Sequence, residues 1–444
     1  MATRSVSADG NCAIATLACE LIREIGLEPR LQTRKIDGAP HYNVIADLAP
    51  PQRPGSEADQ GLLLLTHLDT VPPGNPEAWT ATGQDPFRPT RDGDRLYGLG
   101  SADAKLDFLC KLAAIAEVDA TRLRHPLRLV GTFAEEIGLR GARHLVESGE
   151  TRGFRYALVG EPSELACVRA HKGYAVYEAR IPLPELGQLS GLAETEDFTG
   201  AAAHSSTPAL GQNAIEAALA RLGRDDVRGL VAIEGGTQTN VVPDHCRLEL
   251  TRRGAVTGGD KARTVFDPAP LLDFWRAWGA RVASAAEVRD PDFDPDHTVS
   301  NLGRIRLQDG TAIVTLDIRP IPALRAPQLL APLTETTELR LDRHNPPLST
   351  SADSRLVRTI CEAQVAAGFE QRVATKATCT EAGVLAGAGI ETVIVGPGPS
   401  VGNVHRPNEY TRISELFGAV KLYTHAINAL CSGERESEKL ACSA

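Results

Sequence analysis

GLLLLTHLD, residues 61–69, sets four consecutive leucines directly before Thr66, His67 and Asp69. A short, wholly apolar run of this length reads as a strand buried on both faces, and buried strands of that kind belong to parallel sheets. Two further stretches repeat the design. Residues 127–133 form an apolar strand that ends at Ala134, Glu135 and Glu136, and residues 156–159 form one that ends at Gly160, Glu161 and Pro162. Helical apolar spacing fills residues 12–25, 106–118 and 141–148, with a further strand at 42–48. Strands alternating with helices imply an α/β layer covered on both sides. Ligands in such sheets collect at the carboxyl ends of the strands, where these polar residues sit.

The pattern changes near residue 174. Residues 174–181 and 246–250 alternate like half-exposed strands, with a helix at 213–222 between them. Residues 254–297 are charged and rich in Asp, Gly and Pro, with an aromatic cluster at Phe274, Trp275 and Trp278. The α/β pattern returns with a helix at 354–367 and a strand at 392–395. The reading is a discontinuous α/β domain, 1–173 and 345–444, interrupted by an α+β domain at 174–344 with an insertion near 254–300. The length of 444 residues agrees with two cores.

Composition removes several classes of function. A formal charge of −10 lacks the basic field that a nucleic-acid partner requires. No run of about 18 apolar residues offers a membrane span. The first residues carry no apolar signal core, which points to the cytoplasm. Nine cysteines lie scattered without Cys-x-x-Cys pairs and read as buried thiols, making sulfur a poor candidate for a metal ligand.

His67 and Asp69 stand two apart, so both face one side of their strand end, which suits a histidine ligand oriented by a carboxylate. Alone, the pair reads more often as a solvated strand end. Asp103 precedes a helix and alone reads as a cap. Glu135 and Glu136 are neighbours that project to opposite sides, so one can bind metal while the other faces an attacking water. Glu161 and His405 complete a set whose every member lies at a strand end or loop.

The segments THLDTVPPG (66–74), LYGLGSADAK (96–105), FAEEIGLRGARHL (133–145), VGEPSEL (159–165), RAHKGY (169–174), GAAAHSSTPALGQNAIEAAL (200–219) and GPGPSVGNVHRPNEY (396–410) carry a resemblance. The sequence resembles the acetylornithine deacetylase, succinyl-diaminopimelate desuccinylase and aminoacylase family of metal-dependent amidohydrolases and exopeptidases. RAHKGY, LDIRPIP (316–322) and CTEA (379–382) place it nearest the acetylornithine deacetylase branch. The resemblance implies a zinc-exopeptidase-like α/β catalytic domain with an inserted α+β lid and dimerisation domain. It implies that His67, Asp103 and Glu161 hold one metal, and that Asp103, Glu136 and His405 hold the other. Asp69 would then orient His67, and Glu135 would be the general base. Oxygen and imidazole donors without thiolates suit Zn²⁺, two per subunit, with Co²⁺ or Mn²⁺ as alternatives. Two such ions about 3.5–4 Å apart activate a water and polarise an amide carbonyl.

In the inserted domain the same resemblance implies that His204 stabilises the oxyanion, that Asn240 contacts the tetrahedral centre or substrate, and that an arginine clamps the substrate carboxylate. Here the sequence departs from the family. Arg319 matches the Asp-x-Arg-Pro motif, while Arg253 matches its usual distance from Asn240, because a long insertion separates the two. Glu381 in CTEA is assigned to reading a cationic side chain or amine. Ala104 and Leu106 replace the family's usual Met and Gly around Lys105, a matter of packing. The expected activity is hydrolysis of a small N-acyl amino acid such as N-acetylornithine by a metal-activated water. The alternatives are a dipeptidase or aminoacylase of other specificity, and a homologue that binds metal or ligand without catalysis. A homodimer is expected, or a monomer if the enlarged lid replaces the dimer contact.

Overall fold

The computed structural model describes residues 1–48, 60–189, 193–252 and 263–432. They divide into two compact units: Met1–Ala170, Leu348–Lys376 and the residues from Thr380 onward form one, and His171–Pro347 with Ala377–Cys379 form the other. The sequence suggests 174 and 344 as the corresponding junctions.

The first unit is built on a nine-stranded sheet. Its strands run in the order Pro29–Ile36, Ala39–Leu48, Leu127–Thr132, Gly61–His67, Phe154–Gly160, Glu391–Ile394, Cys167–His171 and Leu348–Ser349, with Val373–Lys376 beside Cys167–His171. The four strands from Leu127–Thr132 to Glu391–Ile394 are mutually parallel. The leucine run explains why. Leu62 and Leu64 pack into a core with Phe108, Ile360 and Leu422, whereas Leu63 and Leu65 pack on the opposite face with Leu145 and Leu385. All seven residues of Gly61–His67 are buried, and each full leucine burial contributes about 1.5–3 kcal/mol. A strand flanked on both edges and covered on both faces has no solvent side, so its side chains cannot alternate in polarity.

The sequence reading passes over the outermost strand. Pro29–Ile36 pairs antiparallel with Ala39–Leu48. The link is Asp37-Gly38, with φ of 48° and 87°, the two-residue turn whose positive angles match strand twist.

The second unit has its own nine-stranded sheet, in the order Glu185–Leu189, Arg263–Phe266, Val227–Gly235, Val299–Gln308, Thr311–Arg319, Tyr174–Pro182 and Glu338–Asn345; Glu194–Thr199 pairs with His245–Arg252, which pairs with Val227–Gly235. The insertion supplies the strand Arg263–Phe266 and the helix Ala269–Ala285. That strand extends the sheet, and Leu271, Phe274 and Trp278 from the helix enter the unit's core beside Leu302 and Ile305. Residues 301–319 lie in the hairpin Val299–Gln308 and Thr311–Arg319, turned by Asp309-Gly310 at positive φ. No helix among the described residues is long and apolar enough to cross a membrane.

Candidate metal centre

The parallel strands of the first unit deliver their polar residues to one edge. Gly61–His67 ends on His67 itself, and Phe154–Gly160 stops one residue before Glu161. After Leu127–Thr132 the chain turns at Ala134, whose φ of 50° is unusual for a residue with a Cβ, and presents Glu135 and Glu136. The loop beyond Glu391–Ile394 carries His405, also left-handed at φ 59°. Non-glycine residues in this region mark places where surrounding contacts hold the backbone against its preference. Asp103 lies just before the helix Lys105–Glu117, but Ala104 occupies the capping position and makes no side-chain cap. The carboxylate of Asp103 is committed elsewhere.

It lies between two histidines. His67 Nε2 is 2.9 Å from Asp103 Oδ1, and His405 Nε2 is 3.1 Å from Asp103 Oδ2. Glu161 Oε1 stands 3.9 Å from His67 Nε2, and Glu136 Oε1 stands 3.1 Å from His405 Nε2. Two groups of three result, His67–Asp103–Glu161 and Asp103–Glu136–His405, each with its donor atoms within 4.8 Å of one another. One carboxylate offers an oxygen to each group.

The electrostatics describe a pocket short of positive charge. Burial, and then the nearby charge of Asp103, pushes Glu161 up to about 7 and raises Glu136. Burial raises Glu135 well above the ordinary carboxyl range, helped by Glu136 and Glu161 and only partly offset by His67. Burial would also raise Asp103, but hydrogen bonds with His405 and His67 hold it well below its usual value. Those same bonds to Asp103 and Glu136 lift His405 to about 10. Four largely buried carboxylates therefore face two imidazoles, His67 buried and His405 half exposed, a composition that divalent cations would neutralise. The donor set, oxygen and imidazole without sulfur, fits Zn²⁺ and its neighbours in the first transition row.

Supporting contacts fix this arrangement. His67 Nδ1 lies 3.0 Å from the main-chain carbonyl of Asp69 and 3.7 Å from its carboxylate. That carboxylate instead accepts the backbone N–H of Glu135 and Glu136 and the hydroxyl of Ser7. Asp69 thus meets the His67 ring with its backbone and holds the Glu135–Glu136 turn with its side chain. Glu409 has no role in the sequence reading, yet it is fully buried and accepts the N–H of Ala102 and Asp103. Burial raises its carboxyl to about 7. It fixes the backbone of Asp103 from across 306 residues. Glu381 is 1% exposed, accepting the Thr132 hydroxyl and the Ala142 N–H. Its buried carboxylate is held by these two contacts.

In the second unit His204 and Asn240 are both exposed and adjacent, joined by the bridge of His204 to Val241 and by Ser205 N–H donating to the Asn240 carbonyl. His204 Nδ1 is 2.7 Å from the Ser206 hydroxyl. Arg319 is buried, gripped by Asp317 through Nε and Nη2, bonded to Ser205 Oγ, and stacked with its guanidinium 3.6 Å from the Tyr174 ring centre. Arg253 lies outside the described residues.

The chain is 28% identical to the acetylornithine deacetylase of Klebsiella pneumoniae (strain 342) over 450 residues, covering 97% of this chain and 96% of that protein. It is 26% identical to the acetylornithine deacetylase of Yersinia pestis over 452 residues, covering 97% and 95%. The crystal structure of aminoacylhistidine dipeptidase from Vibrio alginolyticus shares the fold, with a TM-score of 0.65 at 18% identity over 97% of this chain and 94% of that one. The family model described as peptidase family M20/M25/M40 matches residues 63–429, and the chain belongs to that metal-dependent hydrolase family.

Proposed function

We propose that the chain is a dinuclear metal amidohydrolase that cleaves the amide bond of a small N-acyl amino acid, with N-acetylornithine the first candidate. The observation that carries this reading is the placement of Asp103, one carboxylate oxygen toward His67 and Glu161 and the other toward His405 and Glu136. Two divalent ions, Zn²⁺ first, would polarise the amide carbonyl and acidify water at such a centre. Glu135 belongs to neither group of ligands and is buried beside both, as suits a base that takes a proton from the attacking water and delivers it to the leaving nitrogen. Asp69 keeps His67 in one tautomer by accepting its Nδ1–H at the main chain. We assign His204 to donating an N–H toward the developing oxyanion, Asn240 to the tetrahedral centre, and Arg319 to the substrate carboxylate. Similarity to acetylornithine deacetylases over nearly the full chain supports the amide of an acylated amino acid as substrate.

The test is hydrolysis of N-acetylornithine beside other N-acyl amino acids and dipeptides, by protein reloaded with Zn²⁺ or Co²⁺. Turnover should vanish with chelator, and Glu135→Ala should lower kcat by roughly 10²–10⁴ while both metals remain bound. Undiminished turnover in Glu135→Ala would overturn the mechanism, and a preference for dipeptides would overturn the substrate.

A further inference from the structure

Behind the metal ligands in the first unit lies a buried ion pair that the proposed chemistry does not use. Asp107 and Lys111, four apart on the helix Lys105–Glu117, are 1% and 0% exposed, and Lys111 Nζ is 2.7 Å from Asp107 Oδ2. Spacing of four on a helix ordinarily marks a solvated surface pair. Taking both charges out of water costs several kcal/mol per ion, and apolar residues of similar size would commonly serve stability as well or better. A pair retained in such a place calls for a reason other than stability.

Its contacts supply one. Lys111 Nζ donates to the Leu65 carbonyl at 2.7 Å, to Thr66 Oγ1 at 2.9 Å and toward the Leu158 carbonyl at 3.3 Å, spanning two parallel strands. Thr66 Oγ1 donates to Asp107 Oδ2 at 2.6 Å. The Tyr423 hydroxyl meets Asp107 Oδ1 and lies 2.8 Å from the Val395 carbonyl. Gly160 lies so close that a Cβ there would fall 1.7 Å from Asp107 Oδ2. Several of these contacts lie close in the chain to a proposed ligand: Thr66 precedes His67, Gly160 precedes Glu161 and Asp107 lies shortly after Asp103, while Val395 opens the longer loop that leads to His405.

We propose that Asp107, Lys111 and Tyr423 form a positioning network that sets the spacing of the strand ends, and through them of four of the five proposed metal ligands. Directional bonds from a buried charge fix register between strands, where apolar contacts would let them slide by tenths of an ångström. The network does not touch substrate. The inference rests on the metal-binding reading above.

The experiment is metal titration of the whole protein by calorimetry, with the electronic spectrum of the Co²⁺ form as a second readout. The variants are Tyr423→Phe and the paired Asp107→Leu/Lys111→Met. The paired variant should stay folded, because it replaces the ion pair with apolar groups of similar volume, yet bind metal roughly 10–100-fold more weakly with an altered Co²⁺ spectrum. Tyr423→Phe keeps the ring and removes only the hydroxyl. It should show the same changes to a smaller degree, with kcat lowered and KM unchanged. Wild-type affinities and spectrum in Tyr423→Phe would overturn the proposal, even if the paired variant failed to fold. Absence of metal binding by the wild type would instead sink the metal-centre reading itself.

Discussion

His67 and Asp103 in the first unit are 1% and 7% exposed, each contacted by at least two polar partners, His67 at the end of a strand buried on both faces and Asp103 just before the helix Lys105–Glu117. His204 and Asn240 in the second unit are exposed and held by a few contacts between neighbouring loops. The contrast follows from what each site must do. A centre that gathers four carboxylates needs a desolvated, rigid frame, since a ligand displaced by a fraction of an ångström loses its bond. A group that meets an incoming substrate needs access, and a loop on a half-covered sheet gives it. The two units should therefore respond differently to substitution: the first through metal content, the second through turnover with metal content intact.

Asp103→Ala is the harshest test of the first half. Removing the carboxylate that serves both groups should abolish binding of both ions, and turnover should fall beyond the roughly 10²–10⁴-fold that loss of a general base costs. Metal counting by plasma emission alongside activity checks it. One ion retained at full affinity would mean that Asp103 does not bridge.

His204→Ala tests the second half. It should lower kcat by about 10²–10³-fold, the usual loss when one oxyanion donor is removed, with two metals still bound. A change in metal content would erase the distinction between the units. Light scattering adds a further condition: if the protein is a strict monomer, His204 cannot act across a subunit boundary.

Glu409→Ala should weaken metal binding by roughly 10–100-fold without touching a ligand, since the N–H groups of Ala102 and Asp103 lose their acceptor. Calorimetric titration measures it. Unchanged affinity would show that the Asp103 turn holds itself.

How much of this could be read from the chain depends on the range of each interaction. The strand ends were legible because apolar runs stop abruptly at His67, Glu135 and Glu161, and the resemblance then assigned them roles. Glu409 was not, because its partners are backbone N–H groups some 300 residues away and carry no side-chain signature. Asp107 and Lys111 carry the spacing of a surface pair, so only burial distinguishes them. In the second unit, Glu185–Leu189 is almost wholly exposed and Glu194–Thr199 alternates exposed with half-buried positions, so neither shows the apolar alternation that marks a strand. The Pro29–Ile36 strand could have been found, since Asp37-Gly38 is the turn signal that precedes its partner.

Glu381 gives the smallest expected effect and the finest test of the comparison, because a sequence resemblance assigned it to substrate while the fold buries it. Unfolded, its carboxyl would lose its proton near 4.5; folded, burial holds the proton until about 8. Between those values the folded chain binds more protons than the unfolded one, so this residue's contribution is full below 4.5 and is lost as pH rises toward 8. Glu381→Gln has no proton to lose, and its amide oxygen can still accept the Ala142 N–H. The metal-free variant should melt with the wild type near pH 4.5 and above it near pH 8, by roughly 2–4 °C for each kcal/mol recovered. Melting curves across that range decide the matter. A variant that gains nothing at pH 8, yet raises KM selectively for substrates bearing a cationic side chain, would return Glu381 to the substrate and show that this part of the frame opens.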